Sequence, residues 1–363
     1  MRQMTLYIVM IMCLACMCVS VNAQSLVTID SLVLWPDSIK HEKDVALRLG
    51  VGGVYITNET CLIAIRSGII QKTSEDAFWS ILKECQPTRG SWWDNYQSAL
   101  SNGSLFWPQS IFQIHGKEEF ILFDRYIHSP YRMIVSSGFN TKTSLLKEPD
   151  SLAIINDIAV YNDHIYYAIY SSTHDTVLCV SDIGGSNYEG IYTIPESVSS
   201  FLDLVGADNS SVIAYDLTNN TIWVGLKYFN KIYNVNKTGM LIDSIVINAI
   251  DHKVPKPPKS RIKSPAMHTD WTKSNTPLCK FDYAYPEYIL LQYWTDWVKQ
   301  GVDSVRLSPT LIWKTDKTPV ELNIDKTWRL VQTLPDGRII FAKYHRINGK
   351  TNKVVVYITR IES

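Results

Sequence analysis

Net charge is the first thing this sequence lacks. Its 35 lysines and arginines match 35 aspartates and glutamates, and loss of Arg2 with an N-terminal leader would leave a slightly acidic chain. No whole-molecule field draws in a phosphate backbone, so nucleic acid is not an expected partner. Catalytic fingerprints are also missing. There is no Gly-x-Ser-x-Gly, no His-Glu-x-x-His, no P-loop and no dinucleotide-binding glycine pattern. An acid–base site would have to be assembled from scattered groups such as His115, Asp157, His268 and Asp270, and spacing does not reveal such a site. Metal-ligand spacing is absent among the cysteines, so the sequence points to no metal and no cofactor. A membrane-spanning run is absent too. The longest apolar stretch, Leu6 to Val19, is about 14 residues, short of the roughly 20 that a helix needs to cross a bilayer.

That stretch follows a single positive charge, Arg2, and precedes Val21-Asn22-Ala23, a small-residue cleavage site. Residues 1–23 therefore read as a secretory signal peptide, with the mature chain starting at Gln24. The protein is expected in the periplasm, at the cell surface or outside the cell. Cys13, Cys16 and Cys18 lie in the apolar stretch, but Cys16 has no leucine three places upstream, so lipoprotein anchoring is the less favoured route. Four cysteines remain after cleavage, Cys61, Cys85, Cys179 and Cys279. In an oxidising compartment they allow three disulfide pairings. Cys61 and Cys179 sit in apolar, strand-like runs, where buried thiols are the ordinary outcome.

What the sequence does have is a repeated hairpin. Its clearest copy runs Asp157 to Tyr161, turns at Asn162-Asp163 and continues Ile165 to Tyr170. Two β-branched and aromatic runs around an Asn-Asp pair form a hairpin because Asn and Asp tolerate positive φ. Further strands from Thr176 to Val180 and Gly190 to Ile194 complete a four-stranded antiparallel unit, which is the size of one propeller blade. Similar turns are read at Gly52-Gly53, Gly116-Lys117, Asn219-Asn220, Pro286-Glu287 and Asp336-Gly337, at intervals of 46 to 67 residues. The last blade is one strand short after Trp328–Thr333, Arg338–Tyr344 and Lys353–Arg360. The alternating segment Leu26 to Leu34 is placed to complete it and cover its edge. The expected fold is all-β: a single six-bladed β-propeller spanning residues 24–363, with insertions at about 73–107 and 251–280.

The hairpin spacing, the segment from Asn219 to Ile247 and the leader ending Asn22-Ala23-Gln24 together resemble the six-bladed propellers secreted by Bacteroidota, which are similar to NHL and TolB-like propellers. The resemblance implies a binding or scaffolding role and transfers no catalytic residue. A Gly-x-Gly-Pro-Gly-Glu loop found in some relatives is missing here.

The insertions carry the candidate site residues. Ser74 to Cys85 reads as a helix, capped by Thr73 or Ser74, with Phe78, Ile81, Leu82 and Cys85 on one apolar face. It leads into an aromatic loop with Trp92, Trp93, Tyr96 and Trp107, and a second aromatic region holds Trp294 and Trp297. Aromatic faces beside Asp, Asn and Gln suit a sugar surface or a protein contact, and also suit packing between blades. A basic, proline-rich stretch supplies Lys253, Lys256, Lys259, Arg261 and Lys263, a loop fitted to an acidic ligand or to solvent alone. Asp followed by Ser or Thr at Asp30, Asp37, Asp150, Asp175, Asp243 and Asp303 resembles an O-glycosylation pattern of exported Bacteroidota proteins, and equally fits the ordinary use of Asp-Ser at strand starts. The expected function is non-enzymatic recognition of a glycan, peptide or protein partner through these loops. The alternative is a hydrolase or lyase with its site in the central channel.

Overall fold

Second strands such as Thr221–Leu226 and Glu119–Asp124 are almost continuous runs of Ile, Val, Leu and aromatic residues. A run of this kind is stable only when both faces of its sheet are covered. Stacking the sheets around an axis provides that cover, and the chain does this six times. The computed structural model describes residues 26–362 with gaps, the longer ones at 41–48, 147–152, 205–210, 248–255 and 272–277 and the others of one to four residues. Residues 1–25, including the expected leader, lie outside the described residues.

From the inner strand outwards, the first blade is β3 (Val51–Ile56), β4 (Thr60–Ile65), β5 (Gly68–Thr73) and β6 (Trp79–Glu84), with β2 (Ile39–Lys40) parallel to β6. The second is β7 (Pro108–Gln113), β8 (Glu119–Asp124), β9 (Ser129–Ser136) and β10 (Asn140–Leu145). The third is β11 (Ala153–Tyr161), β12 (His164–Ser171), β13 (Thr176–Asp182) and β14 (Glu189–Thr193). The fourth is β15 (Ser211–Asp216), β16 (Thr221–Leu226), β17 (Lys231–Val235) and β18 (Leu241–Val246). The fifth is β19 (Leu278–Tyr283), β20 (Tyr288–Tyr293), β23 (Thr310–Lys314) and β24 (Pro319–Glu321), with the hairpin β21 (Trp297–Gln300) and β22 (Asp303–Arg306) between its middle strands. The sixth is β25 (Arg329–Thr333), β26 (Ile339–Ile347), β27 (Lys350–Ile361) and, as outer strand, β1 (Leu26–Leu34). The N-terminal strand thus closes the ring, antiparallel to β27 in the register Leu26↔Ile361 to Leu34↔Val354. The core lies between blades. Leu34, Val354 and Val356 of the last blade pack with Val54, Ile63 and Ile70 of the first.

The hairpin turns follow the sequence signals where those signals are conformational. Asn162 and Asp163 both adopt positive φ, 46° and 60°, as a two-residue primed turn requires. Asn220 and Gly337, at 58° and 82°, turn the fourth and sixth hairpins. Pro286-Glu287 and Gly116 lie outside the described residues, although the strands flanking both turns pair as expected.

Gly52-Gly53 does not form a turn. Both residues lie within β3, and the chain turns at Thr57–Thr60. They are glycines because the next blade comes too close for a side chain: a Cβ on Gly52 would stand 2.5 Å from the Gln109 Cα.

The helix read at Ser74–Cys85 is also corrected, since this segment forms β6. The opposing pairs Ile69↔Lys83 and Ile70↔Ile81 leave Leu82 as a bulge. Both faces of the blade are covered: Trp79 and Ile81 pack towards the last blade and Leu82 and Cys85 towards the second, so apolar residues crowd the segment and imitate a helical face. Asp76 accepts from the Thr73 N–H and hydroxyl, forming a turn where a helix cap was expected. A helix does follow the first blade, at α1 (Trp92–Asn102).

Candidate functional site

Helix α1 begins where Ser91 and Asp94 form a reciprocal capping box and ends at Gly103, left-handed at φ 65°. A parallel bridge between Cys85 and Leu105 closes the excursion at its base. The Thr143 hydroxyl donates to the Gly103 carbonyl and the Tyr131 hydroxyl to that of Ser104, which fixes α1 to the outer half of the second blade. The helix is set with its usual polarity reversed. Asn95 and Ala99 face the propeller, while Trp92, Trp93 and Leu100 are 45%, 59% and 58% exposed.

Trp92, Trp93 and Tyr96 form one cluster. Trp92 and Tyr96 stack with ring centres 5.1 Å apart, and Trp93 and Tyr96 stack at 5.6 Å. The Trp92 indole N–H donates to the Tyr126 carbonyl at 3.1 Å, so the platform is held to the β8–β9 turn. The loop expected around these residues is therefore a helical turn. Trp107 lies apart from them, half-buried under the Arg66 guanidinium at 4.4 Å. Trp294 lies outside the described residues, and Trp297 opens β21. In the basic stretch Lys256, Lys259, Arg261 and Lys263 are exposed, and Lys253 lies outside the described residues.

Strand direction places these elements together. α1, Trp107 and the basic stretch lie in connections from an outer strand to the next inner strand, and β21–β22 joins two middle strands. In antiparallel blades both kinds of connection emerge on the same face of the ring. Cys61 and Cys85 lie in environments that disfavour the thiolate. Cys61 and Cys85 carry no disulfide, and burial pushes the Cys61 thiol up to about 12, away from the thiolate form. Of the Asp-Ser/Thr positions, Ser31 is exposed on β1, and Ser244 on β18 is half-buried.

The opposite face opens into the central channel, a cavity of about 460 Å³ whose mouth is formed by the turns at Asn162, Asp163, Leu217 and Pro335. Five of the six inner strands, all but β15, carry a bulge. The residues just after it are Gly53, Ser110, Asp157, Lys280 and Gln332, and all but Gly53 line the cavity. Some of these polar groups clasp the next blade. Asp157 Oδ2 accepts from the Ile213 N–H at 3.3 Å, Asp282 Oδ2 from the Thr333 N–H at 2.7 Å, and Gln332 Oε1 from the Val54 N–H at 3.1 Å. Burial pushes the Asp157 carboxyl above the ordinary carboxylate range, and the Lys280 ammonium pulls it back.

Sequence reading singled out Asp157 but missed Lys280 and Asp282, more than a hundred residues away. His115, His268 and Asp270 lie outside the described residues. Among the described residues no group of three or more His, Cys, Asp or Glu side chains is arranged to hold a metal ion, and no helix is long and apolar enough to cross a membrane.

Similar rings are known in solved structures. A DUF4221 family member from Bacteroides vulgatus aligns over 95% of this chain and 100% of its own, with TM-score 0.58 and 9% identity. A Bacteroides thetaiotaomicron protein of unknown function aligns over 93% of this chain and 76% of its own, with TM-score 0.51 and 9% identity. This chain is a six-bladed β-propeller. At such identity the likeness extends to the fold alone. Virginiamycin B lyase from Staphylococcus aureus aligns more loosely, over 91% of this chain and 99% of its own, with TM-score 0.45 and 10% identity. No family model and no curated protein matches the sequence.

Proposed function

We propose that this propeller is an exported binding protein that holds a glycan on the face bearing α1. The observation carrying this reading is the reversed helix: Trp92 and Trp93 turned to solvent and backed by the half-buried Tyr96 ring, where the helix's own packing would bury them. Sugar rings stack on such faces, and Asp94 and Gln97 beside them bring polar groups for hydroxyls. A protein partner is the second reading, favoured by Leu100, which extends the exposed stripe with an aliphatic group that a sugar does not need. The channel carboxylates support an enzyme less well, because Asp157 and Asp282 both accept backbone N–H groups of the neighbouring blade.

A stacked aromatic adds about 1 kcal/mol beyond the area it buries. Replacing Trp92 and Trp93 together by alanine should therefore weaken binding by at least about tenfold. The assay is calorimetry on the strongest oligosaccharide from a glycan array. The melting temperature should fall by no more than a few degrees, since Trp93 is mostly exposed and Trp92 loses one exposed hydrogen bond to the Tyr126 carbonyl. A double variant several degrees less stable with intact binding would assign these tryptophans to packing and remove the proposal.

Export rests on the leader-like N-terminus. Mass spectrometry of protein from its native host should find a mature chain starting at Gln24, and a diacylglyceryl group on Cys16 or Cys18 would overturn this.

A further inference from the structure

The channel cavity is a second site, on the face opposite α1, and its chemistry does not depend on the reading given for that helix. Its volume, about 460 Å³, lies in the range of pockets that enclose small molecules. Aromatic rings form much of its wall: Tyr55, Phe112, and the stacked pair Tyr161 and Tyr215, whose centres are 4.2 Å apart. The polar groups differ in what they are free to do. Asp157, Asp282 and Gln332 bond the backbone of the adjoining blade and so hold the ring together. Lys280 lines the same cavity, half-buried; its charge acts on the Asp157 carboxyl, but among the described residues it makes no salt-bridge contact. Its ammonium is the cation in this wall that a ligand can still use. A second cation waits at the mouth, where the Lys237 ammonium lies over the Tyr161 ring at 5.9 Å.

We propose that this cavity binds a small aryl carboxylate, its anionic group on Lys280 and its flat apolar body against Tyr55 and the Tyr161–Tyr215 pair. A single negative charge fits better than a phosphate. The wall offers one interior ammonium and also contains Asp157 and Asp282, so a second ligand charge would meet repulsion and no donor of its own. An uncharged aromatic would forgo the charge-assisted hydrogen bond to Lys280, which costs affinity.

The test uses the purified protein with 4-hydroxyphenylacetate, benzoate and indole-3-acetate, each compared by calorimetry with its neutral amide. At least one carboxylate should bind with a Kd near or below about 1 mM, and its amide should bind at least about tenfold more weakly, the size of one charge-assisted hydrogen bond. Lys280→Gln should bring acid and amide to the same affinity, and Lys280→Arg should keep the preference for the acid. The proposal is overturned if all three carboxylates fail to bind at about 10 mM, if an amide binds as tightly as its acid, or if Lys280→Gln keeps the preference. The comparison of acid with amide needs no variant, so it decides the matter even if Lys280→Gln folds poorly.

Discussion

A protein lacking residues 26–34 is expected to lose its cooperative melting transition and to aggregate. β1 is the outer strand of the last blade, paired with β27 from Leu26↔Ile361 to Leu34↔Val354. Its removal exposes a long strand edge carrying Val355 and Val356, which invites pairing with other chains. It also opens the seam between the last blade and the first, where fully buried Leu34 and partly buried Leu32 pack with Val54, Ile63 and Val356. Fully burying a leucine contributes about 1.5–3 kcal/mol, so Leu34, with smaller shares from the partly buried Leu26 and Leu32, accounts for a large part of the 5–15 kcal/mol that holds a typical protein folded. Calorimetry and size-exclusion chromatography of the truncated protein are the measurements. A single transition at the full-length temperature from a monomer would show that β1 does not close the ring. Leu34→Ala provides a point test, with an expected loss of about 2–5 kcal/mol in urea titration.

That closure was legible in the sequence for a physical reason. Strand alternation and turn chemistry are local, and Asn162-Asp163, Asn219-Asn220 and Asp336-Gly337 show the left-handed conformations in their residue types. The same locality misled at two places. Gly52-Gly53 resembles a turn, but its glycines answer to the Gln109 backbone of another blade. The spacing of Ile81, Leu82 and Cys85 resembles a helical face, but Ile81 answers to the last blade and Leu82 and Cys85 to the second. In both cases a contact distant along the chain selected the residue. The candidate sites divide in the same way. Trp92 and Trp93 stood out as an aromatic cluster, and only their place on α1 shows that they face solvent. Lys280 carried no local signal, because its meaning depends on Asp157 and Tyr161, which the ring brings to the same cavity.

The second large effect is expected at Asp124, where replacement by alanine should cost on the order of 4 kcal/mol or more. The carboxylate is fully buried at the end of β8 and accepts four backbone N–H groups. Oδ2 takes those of Phe106 at 2.6 Å and Trp107 at 2.8 Å, and Oδ1 takes those of Tyr126 at 2.9 Å and Ile127 at 3.2 Å. Burial pushes its pKa up and the four donors pull it back. One side chain thus joins the returning end of the α1 excursion to the β8–β9 turn, which also receives the Trp92 indole. Alanine leaves these donors without their acceptor, and an unsatisfied buried N–H costs about 1–3 kcal/mol. Asparagine keeps the shape but can accept on only one of its two outer atoms, so Asp124→Asn should lose roughly half as much. Urea titrations of both variants give the ranking. Alanine and asparagine variants within about 0.5 kcal/mol of the parent would mean that water replaces the carboxylate there. In that case the position of α1 must come from the Gly103 and Ser104 carbonyls, the Trp92 indole and the Cys85–Leu105 bridge.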